Sequence, residues 1–163
     1  MGIKRRIQLP RYKTFLIKSD DRLNGQFIKD LIVRVNGQAV VVDNYAGFAG
    51  KLQESHYVRD SRQNLANLIG VIYTLKREGE RIPSISSKSS LGGLMAQEDV
   101  VPYIRQIIGE APLIVTYYRQ GQDRISDLEQ MFIQRGADSV LLHPFTENQF
   151  YQVLEETLRR KGR

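Results

Sequence analysis

The fold is decided by the stretch Arg135-Gly136-Ala137-Asp138-Ser139-Val140-Leu141-Leu142-His143-Pro144-Phe145-Thr146. Gly136 is suited to ending a helix, and the run from Ser139 to Leu142 then predicts a short strand. Pro144 stops that strand, because proline cannot donate a backbone hydrogen bond to a neighbouring strand. Thr146 begins Thr-Glu-Asn-Gln, a capping box that predicts the start of a helix. The stretch therefore predicts a helix, a strand and a second helix in close succession.

The same succession extends over most of the chain. We predict strands at 12–17, 39–42, 82–86, 112–118 and 139–142, and helices at 23–35, 65–75, 100–108, 125–133 and 147–158. Between residues 43 and 64 the apolar residues follow no clear period, which indicates a long connection. Strands that alternate with helices indicate a parallel sheet covered on both faces. The predicted fold is an α/β, three-layer, doubly wound, five-stranded parallel sheet with an enlarged connection after the second strand.

The composition is that of one globular domain. Of its 163 residues, 41% are apolar, and no apolar run approaches the roughly 20 residues that a membrane-spanning helix needs. The chain has no cysteine, which excludes disulfides, thiolate metal sites and cysteine nucleophiles. These features indicate a protein of a reducing, cytoplasmic compartment.

The positive charge of the chain lies mainly at its two ends. The formal net charge is +6, and we predict a basic N-terminal extension over residues 1–11, a domain over 12–158, and a basic tail or linker over 159–163. No aromatic residues interleave with the basic ends to form a platform for nucleic-acid bases. We therefore expect solvated ends, with no membrane contact and no nucleic acid bound by the domain itself.

The tail of the chain resembles that of the receiver domains of bacterial response regulators, which usually reads roughly Gly-Ala-Asp-x-hydrophobic-x-x-Lys-Pro-Phe. Residues 136–138 and 144–145 match this pattern, while His143 stands in place of the lysine. The resemblance implies a CheY-like fold, a cis bond before Pro144, and an aromatic residue in the last strand, where this chain has Val140. The family's lysine takes part in phosphorylation, so the shorter and mostly neutral histidine implies an altered activity.

The first and fourth strands resemble the same family. In receivers an acidic pair after the first strand binds Mg²⁺, and Asp20 and Asp21 match that pair. Adjacent carboxylates suit a hard cation, although they suit an Asx turn or a helix N-cap equally well. A threonine or serine that contacts the phosphoryl group ends the fourth strand, and Thr116 matches it. Tyr117 follows where the family usually has a small residue, and we expect it to cover the pocket.

The family's phosphate-accepting aspartate should end the third strand. Counting back from Pro112 places it at Ser86 or Ser87, whose hydroxyl groups cannot form the acyl phosphate. Counting forward from Asp20 places it at Asp60, which would make the strand at 82–86 an extra one. We favour the first count, because the residues before Asp60 are too polar for a central parallel strand.

These residues predict a degenerate phosphorylation pocket. Its members are Asp20, Asp21, Ser86, Ser87, Thr116 and His143. The leading hypothesis is a pseudo-receiver, a non-catalytic signalling domain without a cofactor that contacts a protein partner, an output domain or a second copy of itself. The resemblance implies an interaction face on the fourth helix, last strand and last helix. Its members are Asp127, Gln130, Gln134, Gln149, Gln152 and Glu156.

Two alternatives remain open. One is a working receiver in which Asp60 accepts the phosphoryl group and Asp20 and Asp21 hold Mg²⁺. The other is a module that binds a small molecule or a nucleic acid. An enzyme of another kind is not expected, because two histidines and no cysteine supply neither a complete nucleophilic triad nor a usual zinc site.

Overall fold

The computed structural model describes residues 14–19, 21–44, 47–51, 68–75, 81–83, 94–96, 100–118 and 125–161. In chain order, the elements are β1 (Thr14–Lys18), α1 (Arg22–Arg34), β2 (Gln38–Val42), α2 (residues 47–51), β3 (Leu68–Leu75), β4 (Arg81–Pro83), β5 (Leu94–Ala96), α3 (Val100–Ile108), β6 (Leu113–Tyr118), α4 (Ile125–Gln134), β7 (Ser139–His143) and α5 (Glu147–Arg160). Among these residues, none of the helices combines the length and the apolar character needed to span a bilayer.

Five of the strands form one sheet in the order β2-β1-β3-β6-β7, and every neighbouring pair is parallel. Helices α1 and α5 pack on one face of this sheet, while α3 and α4 pack on the other. The strand order places β3 at the centre and β2 and β7 at the edges. The predicted α/β fold, with three layers around a five-stranded parallel sheet, is confirmed.

The third strand is where the prediction is wrong. Residues 68–75 of the helix predicted at 65–75 are instead β3, which pairs with β1 and β6. Val71, Ile72 and Tyr73 in this strand are fully buried, because the sheet has helices on both faces. A strand buried on both faces is apolar at successive positions and loses the usual alternation. Its apolar residues therefore also fit the spacing of a helix.

The strand predicted at 82–86 does not belong to the main sheet. Its first residues lie in β4, which pairs antiparallel with β5 in a separate two-stranded sheet. The connection after β2 runs over residues 43–67, with α2 near its start. The two short strands lie between β3 and α3, so they add length after the third strand of the sheet.

Two apolar clusters join the layers, one on each face of the sheet. On one face, Phe15 and Ile72 pack with residues of α1 and α5. On the other, Tyr73 and Val115 pack with residues of α3 and α4 and with Phe48 of α2. Complete burial of one such side chain contributes about 1.5–3 kcal/mol. The packed strands β1, β3 and β6 thereby hold their carboxyl ends in fixed positions.

Helix α1 lies close to the sheet at Gly25, where a Cβ atom would be 2.8 Å from Val41 Cγ1. The helix begins at Asp21, whose carboxylate accepts hydrogen bonds from the backbone N–H groups of Leu23 and Asn24. Such an N-cap satisfies backbone donors that have no partner within the helix. The close approach and the cap together place the first turn of α1 beside the end of β1.

The last third of the chain agrees with its prediction. The His143–Pro144 bond is cis, as the receiver resemblance implies. Thr146 and Gln149 form both hydrogen bonds of the predicted capping box at the start of α5. The helix continues to Arg160, so it includes the first two residues of the predicted basic tail.

A set of ion pairs, here called the Asp138 network, lies at the amino ends of β6 and β7. The Asp138 carboxylate accepts from Arg105 at 2.7 Å, from Lys161 at 2.9 Å and from the backbone N–H of Leu113 at 2.8 Å. Arg105 also donates to backbone carbonyl oxygens in the α3–β6 and α4–β7 connections. These contacts join α3, β6, β7 and α5.

Candidate functional site

Buried hydroxyl groups meet at the carboxyl ends of β3 and β6, the end of a doubly wound sheet where ligands usually bind. Thr74 and Thr116 are partners in the β3–β6 register, and both are almost fully buried. The Oγ1 of Thr116 donates a hydrogen bond to the Oγ1 of Thr74 at 2.7 Å. The side chain that faces Thr116 from the third strand is therefore a threonine.

Helix α1 and the end of β1 complete this group. Asn24 Nδ2 donates to Ser19 Oγ at 3.0 Å and lies 3.5 Å from Thr74 Oγ1. Ser19 Oγ donates to the backbone carbonyl of Asp21 at 2.9 Å. We call Ser19, Asn24, Thr74 and Thr116 the hydroxyl cluster. Its members satisfy one another's hydrogen bonds with neutral groups, while the exposed Asp21 carboxylate caps α1.

Lys18 brings a basic side chain to the edge of the hydroxyl cluster. It is 2% exposed, and its Nζ lies 3.5 Å from the carbonyl oxygen of Thr74 and 5.1 Å from the centre of the Tyr73 ring. A carbonyl dipole and an aromatic face both attract an ammonium group. The ends of β1 and β3 thus hold a buried amino group beside the hydroxyl cluster.

His143 lies at the end of β7 among aromatic rings. Its ring stacks on that of Tyr118 with centroids 4.0 Å apart and contacts Phe145 at 4.7 Å. Its Nε2 is buried and has no hydrogen-bond partner among the described residues. Burial lowers the pKa of His143 to about 4, although the negative charge of Asp21 acts in the opposite direction. His143 is therefore neutral at pH 7. The pKa of Tyr118 is raised, mainly by burial and then by the charge of Asp21.

Both counts to the third strand are wrong. Because β3 runs from Leu68 to Leu75, neither Ser86 nor Ser87 can end it, and Asp60 precedes it. These three residues lie outside the described residues. The counts fail because they take the apolar run at 68–75 for a helix, when it is the strand itself.

The remaining predicted pocket residues have different outcomes. Thr116 lies two residues before the end of β6 and His143 is the last residue of β7, whereas Asp20 lies outside the described residues. Tyr117 does not cover the hydroxyl cluster, because its buried ring packs against Phe132 on the α3–α4 face. Successive residues of a strand point to opposite faces, so Tyr117 and Thr116 cannot share one.

Of the two carboxylates that the receiver resemblance assigns to Mg²⁺, Asp20 lies outside the described residues and Asp21 caps α1. Mg²⁺ needs oxygen ligands in near-octahedral geometry, usually with carboxylates among them. The described surroundings of Thr74 offer neutral hydroxyls, the amide N–H₂ of Asn24 and the amino group of Lys18, which lies 3.5 Å from the Thr74 carbonyl. Within the described ranges, no three His, Cys, Asp or Glu side chains form a group that could hold a metal.

A second feature lies at the edge of the sheet, between α4 and α5. A groove of about 580 Å³ follows β7, and we call it the β7 groove. Its lining residues are Glu129, Val140, Leu141, Leu142, His143, Pro144, Gln149, Gln152, Val153 and Glu156. Half of the predicted interaction face lines it, namely Gln149, Gln152 and Glu156. The other half, Asp127, Gln130 and Gln134, is exposed on α4.

Sequence reasoning missed Lys18, Ser19, Asn24 and Thr74 as members of the site. A signal for Thr74 was available, because the run Leu68–Leu75 is rich in β-branched residues and contains a glycine. Both features disfavour a helix and favour a strand that ends near Thr74. For the other three residues, the local sequence does not separate a buried polar side chain from an exposed one.

Solved structures of response-regulator receiver domains have the same fold as this chain. A receiver domain protein from Clostridium thermocellum is 16% identical, and the match covers 92% of this chain and 97% of that chain with a TM-score of 0.60. A CheY-like receiver domain protein from Methanospirillum hungatei is 11% identical, with 92% and 96% covered and a TM-score of 0.64. The chain therefore has the CheY-like receiver fold.

A third similar structure is that of a longer protein. NtrX from Brucella abortus, solved in complex with ATP, is 12% identical with a TM-score of 0.61, and the match covers 93% of this chain and 28% of NtrX. No protein-family model matches the chain, and no curated protein matches it in sequence. The similarity to known proteins is thus one of fold.

Proposed function

We propose that this chain is a receiver-type signalling domain that acts through protein contact and without phosphorylation of an aspartate. The receiver fold supports the signalling role. The absence of aspartate phosphorylation rests on one observation, the identity of Thr74. This residue lies at the carboxyl end of β3 and is hydrogen-bonded to Thr116. An acyl phosphate requires a carboxylate oxygen, and a threonine hydroxyl cannot form one.

The surrounding groups support the same proposal. His143, with a pKa of about 4, is uncharged at pH 7 and cannot attract a phosphoryl group as a lysine would. The carboxylate of Asp21 is engaged as the N-cap of α1. Thr74 and Thr116 are buried and hydrogen-bonded to each other. A hydroxyl group needs an adjacent base to act as a nucleophile, so this pairing does not prepare either threonine for attack on a phosphate donor.

A phosphoryl-donor assay tests this proposal. The full chain is incubated with acetyl phosphate and Mg²⁺ and then examined by intact mass spectrometry, with beryllofluoride and tyrosine fluorescence as a second assay. We expect no added phosphoryl group and no spectral change. A mass gain of one phosphoryl group would replace this proposal with the phosphorylated receiver, and its loss in Asp60→Asn but not in the control Asp127→Asn would identify Asp60 as the acceptor.

The contact surface in this proposal is the face formed by α4, β7 and α5. Its six members are Asp127, Gln130, Gln134, Gln149, Gln152 and Glu156, and all of them are exposed. Exposed polar side chains around half-buried apolar ones, such as Val140 and Val153, resemble the rim and core of a protein interface. This face serves either self-association or the docking of an output domain.

Charge reversal tests the face. Glu156→Lys combined with Gln152→Lys should weaken association of the full chain, measured by sedimentation velocity or by pull-down of an output domain. Asp30→Lys on α1 is a matched control, because Asp30 is exposed and lies on another helix. Unchanged association in the double variant would exclude this face as the contact surface.

A further inference from the structure

The edge of β7 opens into the β7 groove. Among the described residues, β7 is the last strand of the main sheet and pairs only with β6. Four consecutive residues, Val140 to His143, line the groove. Because alternate side chains of a strand point to opposite faces, four consecutive residues can line one groove only along the strand edge. The groove therefore follows the hydrogen-bonding edge of β7.

Within the described residues, the strand β7 itself, which ends one residue before Pro144, carries none of the usual protection against pairing. Exposed edges are commonly blocked by lysine, proline or a bulge. The sequence of β7 is Ser-Val-Leu-Leu-His, which contains neither lysine nor proline, and its register with β6 is continuous. A strand of five residues is about 17 Å long. An extended segment of similar length can therefore pair with β7 and extend the sheet.

The rim of the groove is acidic, although the chain as a whole is basic. Glu129 on α4 and Glu156 on α5 line the groove, and none of the described residues that line it is a lysine or an arginine. His143 adds no positive charge at pH 7, because its pKa is about 4. The net charge of the whole chain is +6. Complementary charge selects partners, so this rim favours a basic one.

The two acidic side chains belong to helices on opposite faces of the sheet. α4 packs with the cluster on one face and α5 with the cluster on the other. Successive side chains of a strand added to β7 would point alternately toward these two faces. Two adjacent basic residues in such a strand would therefore place one near Glu129 and the other near Glu156.

We propose that the β7 groove binds an extended segment of a partner protein that pairs with β7 as a sixth strand and carries two adjacent basic residues. This inference rests on the proposed function and specifies its partner. Main-chain pairing supplies affinity and the charged pair supplies selectivity, as in other cases of strand addition. Two copies docked groove to groove would bring their acidic rims together, which disfavours a symmetric dimer through this surface.

A peptide-binding assay on the full chain tests this inference. The probe is a fluorescein-labelled peptide, Thr-Val-Lys-Arg-Val-Thr-Val, followed by fluorescence anisotropy. We expect it to bind, and the same peptide with Glu-Glu in place of Lys-Arg to show no binding. Glu129→Gln with Glu156→Gln should raise the Kd of the basic peptide about five- to tenfold. Glu155→Gln, a neighbouring α5 residue outside the groove lining, should leave the Kd unchanged.

A backbone-modified peptide separates strand pairing from charge attraction. Methylation of alternate backbone nitrogens on the edge facing β7 should abolish binding, while methylation of the opposite edge should preserve it. Equal binding of both methylated peptides, or no binding of the basic peptide, would overturn the inference. Self-association of the full chain that competes with the peptide would also overturn it, because a second copy would then occupy the groove.

The peptide assay and the phosphoryl-donor assay fail independently. Phosphorylation at an aspartate would overturn the proposed function and leave a measured peptide complex intact. Absence of peptide binding without phosphorylation would overturn this inference alone. Circular dichroism of the Glu→Gln variants confirms that they are folded, which is expected because both side chains are exposed.

Discussion

Polar side chains are charged and ion-paired at the amino end of the parallel sheet, whereas Thr74, Thr116 and His143 are neutral at its carboxyl end. At the amino end, the Asp138 network pairs one carboxylate with two cations and a backbone N–H group. At the carboxyl end, Thr74 and Thr116 bond to each other as neutral hydroxyls, and His143 stacks on Tyr118 in its neutral form. The paired charges lie away from the end where such sheets bind their ligands.

This difference indicates what each end contributes. Mutually bonded hydroxyls hold the carboxyl end together without an ion, since they avoid the cost of burying an unpaired charge. The amino end uses charges to tie separate elements together. In this chain, neutral groups hold together the carboxyl ends of β3 and β6 within the receiver fold.

Removing the Asp138 carboxylate should have the largest effect of the substitutions that compare the two ends. Asp138→Ala should lower the free energy of unfolding by about 3 kcal/mol, because Arg105, Lys161 and the Leu113 N–H each lose one acceptor. Urea denaturation measures this change. Asp127→Ala, on an exposed position of α4, is the control and should change stability by less than about 0.5 kcal/mol.

The hydroxyl pair at the other end should contribute less. Thr74→Val and Thr116→Val should each cost about 1–2 kcal/mol, because each leaves the remaining hydroxyl without its partner in a buried place. The double variant should cost less than the sum of the two, since both changes remove the same hydrogen bond. Additive losses in urea denaturation would show that the 2.7 Å contact does not couple them.

The neutral histidine should make stability depend on pH. The pKa of His143 is lowered from 6.5 to about 4 in the folded chain, so the unfolded chain alone binds this proton between those values. The contribution of His143 is complete above pH 6.5 and is lost as the pH falls toward 4. Since the ring is partly exposed, we expect a loss of about 1–2 kcal/mol.

Urea midpoints at pH 7.5 and pH 5 measure this loss. His143→Gln should reduce the difference between the two midpoints, whereas His56→Gln, which removes the other histidine, should preserve it. If His143→Gln showed the same difference as the wild type, burial of a neutral ring would not be the cause of the pH dependence.

An exposed ion pair should give the smallest effect. Arg34 and Glu147 are 3.0 Å apart, but about half of each side chain is accessible to solvent, 47% and 42%. Glu147→Gln should therefore cost about 0.5 kcal/mol or less, and high salt should remove even that. A cost similar to that of Asp138→Ala would contradict the view that partial burial makes the Asp138 network the stronger one.

The end of the chain could be predicted because its signals are local. Gly136 has a φ of 119°, a conformation that glycine adopts without strain. Thr146 forms its capping box with a residue three positions away. The strand between them is short and flanked by these two signals. Each feature depends on neighbours within a few residues, so the linear sequence contains the needed information.

The centre of the sheet could not be predicted with the same rules. Gly70 in β3 lies where a Cβ atom would be 2.8 Å from the carbonyl oxygen of Pro112, a contact that only the β3–β6 pairing creates. The misplaced third strand also made the predicted site wrong, because the residue that faces Thr116 could be named only after that strand was correctly placed. Burial of Lys18 likewise depends on a contact with Tyr73, 55 positions away in the chain.

The sequence by itself determined the alternation of strands and helices, the parallel sheet, the form of the last third and the presence of a histidine in place of the family's lysine. Only the tertiary structure decided which apolar run is the central strand, that Thr74 faces Thr116, and that the edge of β7 lies in an acidic groove. The physical reason is that periodicity and capping act between near neighbours, whereas strand pairing and burial on both faces depend on residues brought together by folding.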